Sequence, residues 1–309
     1  MPGHGLTRAR TMGPIAEAVM AAGGSPARVF GRADIPLTLL DEPDRLILLR
    51  DQLKLVDSAI REIGDPALPA RLSTRAGIAA LGPIGVQVRA AETLGEALAR
   101  VEAVTPILLQ TATWTGVRLD GANALYGYAV AERTECGRQA NEILALGYLL
   151  GTVRHFLGRA WQPAQVVVTG AHLPGRAEIE GLFGCEIAFG PRAGLIFPTL
   201  HLDARNPNPY EPGDPDASQD EPICDDLAAC VAHLIELDLS EARPSIDAVA
   251  RRLGLSRRTL QRRLEDTGTR YVDIQHHVRA RRAKVLLAGA NLSIGQICQA
   301  TRQTDPLTP

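Results

Sequence analysis

The stretch Ser245–Gly268, SIDAVARRLGLSRRTLQRRLEDTG, decides how the C-terminal part of this chain folds. Ser245 stands where a helix N-cap is wanted, and Asp247 falls in the first turn, where the helix dipole favours a carboxylate. Ile246, Val249, Ala250 and Leu253 recur at the spacing of one helical face. Gly254 then breaks the helix and Leu255 supplies an apolar residue for the turn. Ser256 caps a second helix over Arg257–Asp266, which Gly268 ends as a C′ glycine. Leu260 and Leu264 form the inner face of that second helix, and Ala250 is small enough for the two helices to cross closely. Two short helices joined by a glycine turn make a helix-turn-helix.

The outer face of the second helix carries Arg257, Arg258, Gln261 and Arg262 near its start, opposite Leu260 and Leu264. Recognition helices meet base edges through their N-terminal residues. Arginine suits guanine and glutamine suits adenine, each through paired hydrogen bonds. This makes Arg258, Gln261 and Arg262 the candidate base-reading residues. Arg251, Arg252, Arg257 and Arg263 are the candidate phosphate contacts. A solvated cationic face on an ordinary helix pair is the competing reading. The turn, the two caps and the Arg/Gln choice agree on DNA instead.

Working outward, the charge is segregated. The chain of 309 residues has a net charge of −2, but residues 241–309 carry +7 and residues 1–240 carry −9. A basic terminal module on an acidic body is the asymmetry of a chain whose one end meets a polyanion. Upstream lies ARNPNPYEPGDPDASQDEP, Ala204–Pro222, with five prolines and almost no aliphatic residue. Such a segment cannot bury enough surface to offset its ordering entropy, so 205–222 reads as a linker. The linker separates a body over 14–204 from a helical domain over 223–309, and residues 1–13 read as a disordered tail.

The body reads as an α+β domain. Helices are expected over Pro14–Ala22, Pro43–Ile63, Pro66–Leu72, Ile78–Arg89 and Thr93–Val104, the last with Thr93 and Glu96 as a capping box. The period then changes to alternation over Leu109–Leu119. Asp120-Gly121 is a turn signal and Leu125–Ala131 a second strand, so a hairpin is expected. A long helix over Glu135–Leu157 and short strands at Ala164–Thr169, Cys185–Phe189 and Leu195–Phe197 complete a mostly antiparallel sheet. Trp114 and Arg118 share one face of the first hairpin strand and are the candidate ligand-binding residues.

Five cysteines at irregular spacing, with no Cys-x-x-Cys, fit reduced thiols in the cytoplasm rather than a disulfide frame or zinc site. His155, His172 and His201 have no metal-ligand spacing. No cofactor, metal site or catalytic set is expected, and the chain is not read as an enzyme. The longest apolar run, Ile143–Val153, is too short to span a bilayer.

The helix-turn-helix, followed by YVDIQHHVRARRAKVLLA (Tyr271–Ala288) and NLSIGQIC, resembles the AraC-type family of bacterial transcription regulators. In the body, GDPALPARLS (Gly64–Ser73), TLGEALARVEAVTP (Thr93–Pro106) and LFGCEIAFGPRAGLIFP (Leu182–Pro198) resemble the arabinose-binding-type sensor domain of one subgroup. The resemblance implies a regulator whose N-terminal domain binds a small-molecule effector and pairs as a homodimer, with DNA as the partner. It also implies that Arg258, Gln261 and Arg262 sit at base- and phosphate-reading positions, and that Tyr271–Ala288 is a helix linking two helix-turn-helix units. The chain departs from the pattern after Ser293-Ile294-Gly295-Gln296, which begins a capping box. It runs Thr301 to Pro309 without a second recognition helix. That departure predicts a DNA-binding domain truncated after about residue 300. The alternative function is a truncated sensor or interaction protein with little specific DNA binding.

Overall fold

The computed structural model describes residues 5–131, 134, 136–208, 222–224, 226–241 and 244–289. Two compact units meet in sequence between Ile223 and Cys224. The first contains β1 (Leu6–Arg8), α1 (Ile15–Ala21), α2 (Pro26–Arg32), β2 (Leu46–Leu48), α3 (Leu49–Ile63), α4 (Leu68–Ala76), α5 (Pro83–Arg89) and α6 (Leu94–Leu108). It continues with β3 (Thr113–Asp120), β4 (Asn123–Val130), α7 (Arg138–Leu157), β5 (Gln165–Val168), α8 (Arg176–Phe183), β6 (Ile187–Phe189) and β7 (Ala193–Pro198). The second unit holds α9 (Leu227–Glu241), α10 (Ile246–Arg252), α11 (Arg257–Glu265) and α12 (Tyr271–Gly289). The first unit is α+β and the second is helical.

The larger sheet runs β3-β4-β7-β5-β6. Every pairing is antiparallel except β5 with β6, which are parallel and joined through α8. The hairpin turns at Gly121, whose φ of 58° lies in the left-handed region. Alternation then sends Tyr126, Tyr128, Leu195, Phe197, Val166 and Val168 into the core. There they meet α7, which is buried on most of its surface and packs between the sheet and helices α3 and α4. Gly147 lets α7 approach α4: a Cβ there would stand 1.9 Å from Ser73 Oγ.

The first thirteen residues are not a tail where they are described. β1 pairs antiparallel with β2, Leu6 to Leu48 and Arg8 to Leu46. Leu6, Thr7, Arg8, Ala9, Thr11 and Met12 are all buried. A three-residue strand is too short for alternation to announce it, and Arg8 makes the segment look solvated. Its guanidinium is instead spent inside, with Nε donating to the Leu108 carbonyl at 2.6 Å and Nη1 to the Asp44 carbonyl at 2.8 Å. The same pairing corrects the helix expected from Pro43, which starts only at Leu49 because Leu46–Leu48 is a strand. The helix expected over Ile78–Arg89 is divided at Gly82, φ 56°, into one tight turn and α5.

The linker boundaries also move inward. Arg205 bridges to Thr93, and the Asn206 amide donates to the carbonyls of Arg89 and Ala91 at 2.8 Å each. At the other end, Ile223 N–H donates to the Ile107 carbonyl at 2.7 Å. Both flanks of the expected linker therefore belong to the body. Residues 209–221 and the expected truncated stub after residue 289 lie outside the described residues.

Candidate nucleic-acid interface

Local chemistry builds the helix-turn-helix. The Ser245 hydroxyl accepts from Ala248 N–H at 3.2 Å, and the Ser256 hydroxyl accepts from Thr259 N–H at 3.1 Å. Each cap satisfies a backbone donor that the helix start leaves open. Gly254 takes φ 66°, and Leu255 N–H returns to the Ala250 carbonyl at 2.8 Å. Gly268, φ 76°, releases the chain from α11, and Thr269 N–H closes on the Leu264 carbonyl at 3.0 Å. Val249, Ala250, Leu253, Leu260 and Leu264 are buried with Val231, Leu234 and Ile235 of α9 and with Tyr271, Ile274 and Val278 of α12.

Packing Leu260 and Leu264 inward leaves Arg258, Gln261 and Arg262 exposed together on α11. Arg257 is also exposed and pairs with Asp247 of α10 at 3.3 Å. Both side chains of that pair are more than half exposed, so a phosphate can compete for the arginine at little cost. Arg251 is exposed and Arg263 is half-buried. Arg252 departs from the sequence expectation of a phosphate contact. Its side chain is only 9% exposed, and Nη1 meets Asp238 Oδ1 of α9 at 3.2 Å. It holds α10 to α9 and is not presented to solvent as its neighbour Arg251 is.

Inside the first unit lies a cavity of about 60 Å³. Six buried side chains form a closed ring of hydrogen bonds on its polar side. Gln110 Nε2 donates to Thr7 Oγ1 at 3.2 Å, and the two threonine hydroxyls, Thr7 and Thr11, meet at 2.9 Å. Thr11 donates to Gln52 Oε1 at 2.5 Å, and Gln52 Nε2 donates to Asn141 Oδ1 at 2.9 Å. Asn141 Nδ2 donates to the Tyr128 hydroxyl at 3.1 Å, which donates back to Gln110 Oε1 at 2.9 Å. The single Thr11 proton has two acceptors, Gln52 Oε1 and the Arg8 carbonyl at 2.7 Å; when it goes to Gln52 and Thr7 donates to Thr11, every bond of the ring runs in one sense. Burial holds the Tyr128 phenol well above its ordinary range. No residue of this ring was singled out in the sequence, although Gln52 interrupting the apolar face of α3 was a visible signal.

The sequence candidates Trp114 and Arg118 do not line this cavity. They sit on the opposite face of β3, where Trp114 lies between the guanidinium groups of Arg118 and Arg192, 5.2 and 4.6 Å from the ring centre. Gly127 leaves room for the indole there. Alternation put the pair on one face correctly, but that face is the outer one. His155 faces Asn206 at 3.2 Å, and among the described residues no group of three His, Cys, Asp or Glu is placed to hold a metal.

Comparison with known proteins agrees with both units. Residues 23–206 match the family described as the arabinose-binding domain of AraC transcription regulator, N-terminal. The chain belongs to this family. Residues 232–266, which take in α10 and α11, match the helix-turn-helix described as bacterial regulatory protein, Fis family. The chain is similar to the HTH-type transcriptional regulator VirS of Mycobacterium tuberculosis, strains CDC 1551 / Oshkosh and ATCC 25618 / H37Rv. It is 27% identical to each over 305 residues, covering 94% of this chain and 88% of the relative. Among solved structures it is similar to the transcriptional regulator CdpR from Pseudomonas aeruginosa. The identity there is 20% and the TM-score 0.40, over 78% of this chain and 80% of that one. The protein is a transcription regulator with a DNA-binding helix-turn-helix and an arabinose-binding-type N-terminal domain, and not an enzyme. Among the described residues no helix is long and apolar enough to cross a membrane.

Proposed function

We propose that α11 is a recognition helix of the AraC type and that a small molecule bound by the N-terminal domain controls its use. Arg258, Gln261 and Arg262 read base edges in the major groove, while Arg251, Arg257 and Arg263 hold phosphates. The observation that carries this reading is the joint exposure of Arg258, Gln261 and Arg262 on one face of α11, while Leu260 and Leu264 anchor the other. The effector acts through its differential affinity for two states of the N-terminal domain, and that domain pairs two copies of the chain.

Selection of random DNA duplexes by the full chain supplies the target, and fluorescence anisotropy then measures its affinity. Arg258→Ala and Gln261→Ala should each weaken the selected site by about 1–3 kcal/mol and leave random DNA almost unchanged. Equal losses on selected and random DNA would show that the reading face lies elsewhere.

A further inference from the structure

The cavity in the first unit carries information about the effector. Its apolar wall includes Ile78, Leu81, Ile84, Val101, Leu144 and Leu149, and no charged side chain lines it. The polar ring on its other side is closed, each member bonded to the next. Two further hydroxyls at the wall, those of Tyr126 and Tyr148, are buried and have no hydrogen-bond partner among the described residues. Thr152 faces the Tyr126 phenol and draws on it weakly, but the pair does not reach hydrogen-bond geometry, and the Thr152 hydroxyl donates to the Tyr148 carbonyl at 3.2 Å. Burial raises both phenols well above their ordinary range, so each keeps its proton and can donate. Buried donors left without partners are costly, and native structures rarely keep them without a use.

We infer that this cavity is the effector site and that it takes a small, uncharged, mainly apolar molecule bearing a hydrogen-bond acceptor, such as a ketone or lactone, received by Tyr126 and Tyr148. The inference rests on the effector reading above and narrows it. A sugar such as arabinose does not fit, because most of its hydroxyls would face the apolar wall without a partner. A carboxylate does not fit either, because no cation faces it. The size sets a condition: an engineered cavity of about 150 Å³ holds benzene, so a five-membered ring enters the cavity of about 60 Å³ here only as the wall yields. The short turn Ile78–Leu81, between Gly77 and Gly82, forms part of the wall.

Four probes separate the chemistries in the full chain: cyclopentanone, cyclopentane within its solubility, L-arabinose and butyrate. Binding is followed by thermal shift and by tyrosine-ring NMR signals. Cyclopentanone should bind, with arabinose and butyrate at least tenfold weaker. Tyr126→Phe and Tyr148→Phe should each weaken cyclopentanone about tenfold, the worth of one buried hydrogen bond, and leave cyclopentane unchanged. Without probe, both variants should unfold at the same or a higher temperature, because each loses an unpartnered hydroxyl. Ala145→Leu, which fills the cavity, should abolish both cyclic probes and guards against misreading a folding defect. Preferred binding of arabinose or butyrate would overturn the inference. So would phenylalanine variants that melt earlier and bind cyclopentanone as well as the parent, which would mean internal water holds the hydroxyls. Cyclopentanone that binds without altering DNA affinity would sink effector control and leave the cavity chemistry standing. Intact DNA binding with no probe bound would do the reverse.

Discussion

Arg251 and Arg252 are adjacent in sequence but differ in exposure, and replacing each by alanine should separate DNA contact from folding. Arg252 is 9% exposed and its partner Asp238 20% exposed, so Arg252→Ala takes an ion-pair partner away from a largely desolvated carboxylate. Such a loss costs about 1–2 kcal/mol, between a surface pair and a fully buried one. For a unit of this size that is roughly 4–8 °C of melting temperature per kcal/mol. Arg251 has no comparable packing to lose, and Arg251→Ala should leave the melting temperature unchanged. Its effect belongs on DNA. One phosphate contact contributes a slope of about 0.9 to the logarithm of affinity against that of salt. Between 50 and 200 mM salt, the parent should therefore lose roughly 3.5-fold more affinity than Arg251→Ala. Anisotropy titrations at the two salts on one duplex, beside calorimetric melting of both variants, make the comparison. Should Arg252→Ala flatten the salt slope while melting like the parent, the assignment of Arg252 to the α9 contact would be wrong.

Three further outcomes follow from the packing. Gly254→Val should destabilise the second unit by about 1–2 kcal/mol in urea unfolding, because a β-branched residue resists φ 66°, and a valine variant as stable as the parent would contradict the turn geometry. Gly147→Ala should destabilise the first unit by about 1–3 kcal/mol, because its methyl meets Ser73 at the α4–α7 contact, and adding Ser73→Gly should recover part of the loss in a double-mutant cycle. Glu62 is held at about 2 by the Arg28 hydrogen bond first and the Ser25 N–H next. A carboxylate lowered from 4.5 adds stability that is complete above pH 4.5 and fades as pH falls toward 2. Glu62→Gln should therefore melt below the parent at pH 7, and the two should converge by about pH 2; a constant gap would refute the linkage.

The helix-turn-helix was legible because every device that makes it is local. Ser245, Gly254, Ser256 and Gly268 act within four residues of themselves, and Leu260 and Leu264 declare their face by spacing alone. Arg252 was not legible, because the residue that claims it, Asp238, lies on another helix. The hairpin was readable from alternation, yet nothing in Trp114 or Arg118 says which face of β3 meets the core. β1 and β2 are three residues each and pair across forty positions, so neither shows a period. The polar ring is the extreme case. Thr7, Thr11, Gln52 and Asn141 are unremarked singly, and only the topology closes them around Tyr128 and Gln110.

That ring has a consequence for how the chain is made. The residues around Thr7 leave the ribosome well before their partners. β2 follows some forty residues on, Gln110 about a hundred, and Asn141 closes the circle by way of Gln52. Until then the first strand has an unpaired edge and buried-type polar side chains with nothing to bind. Contacts of such long sequence separation slow folding and prolong the exposure of apolar surface. The segment around Thr7 should thus be synthesised before its partners and be among the last to dock. Shortening the chain from its N-terminus, as a disordered tail would invite, would remove the strand that completes the domain.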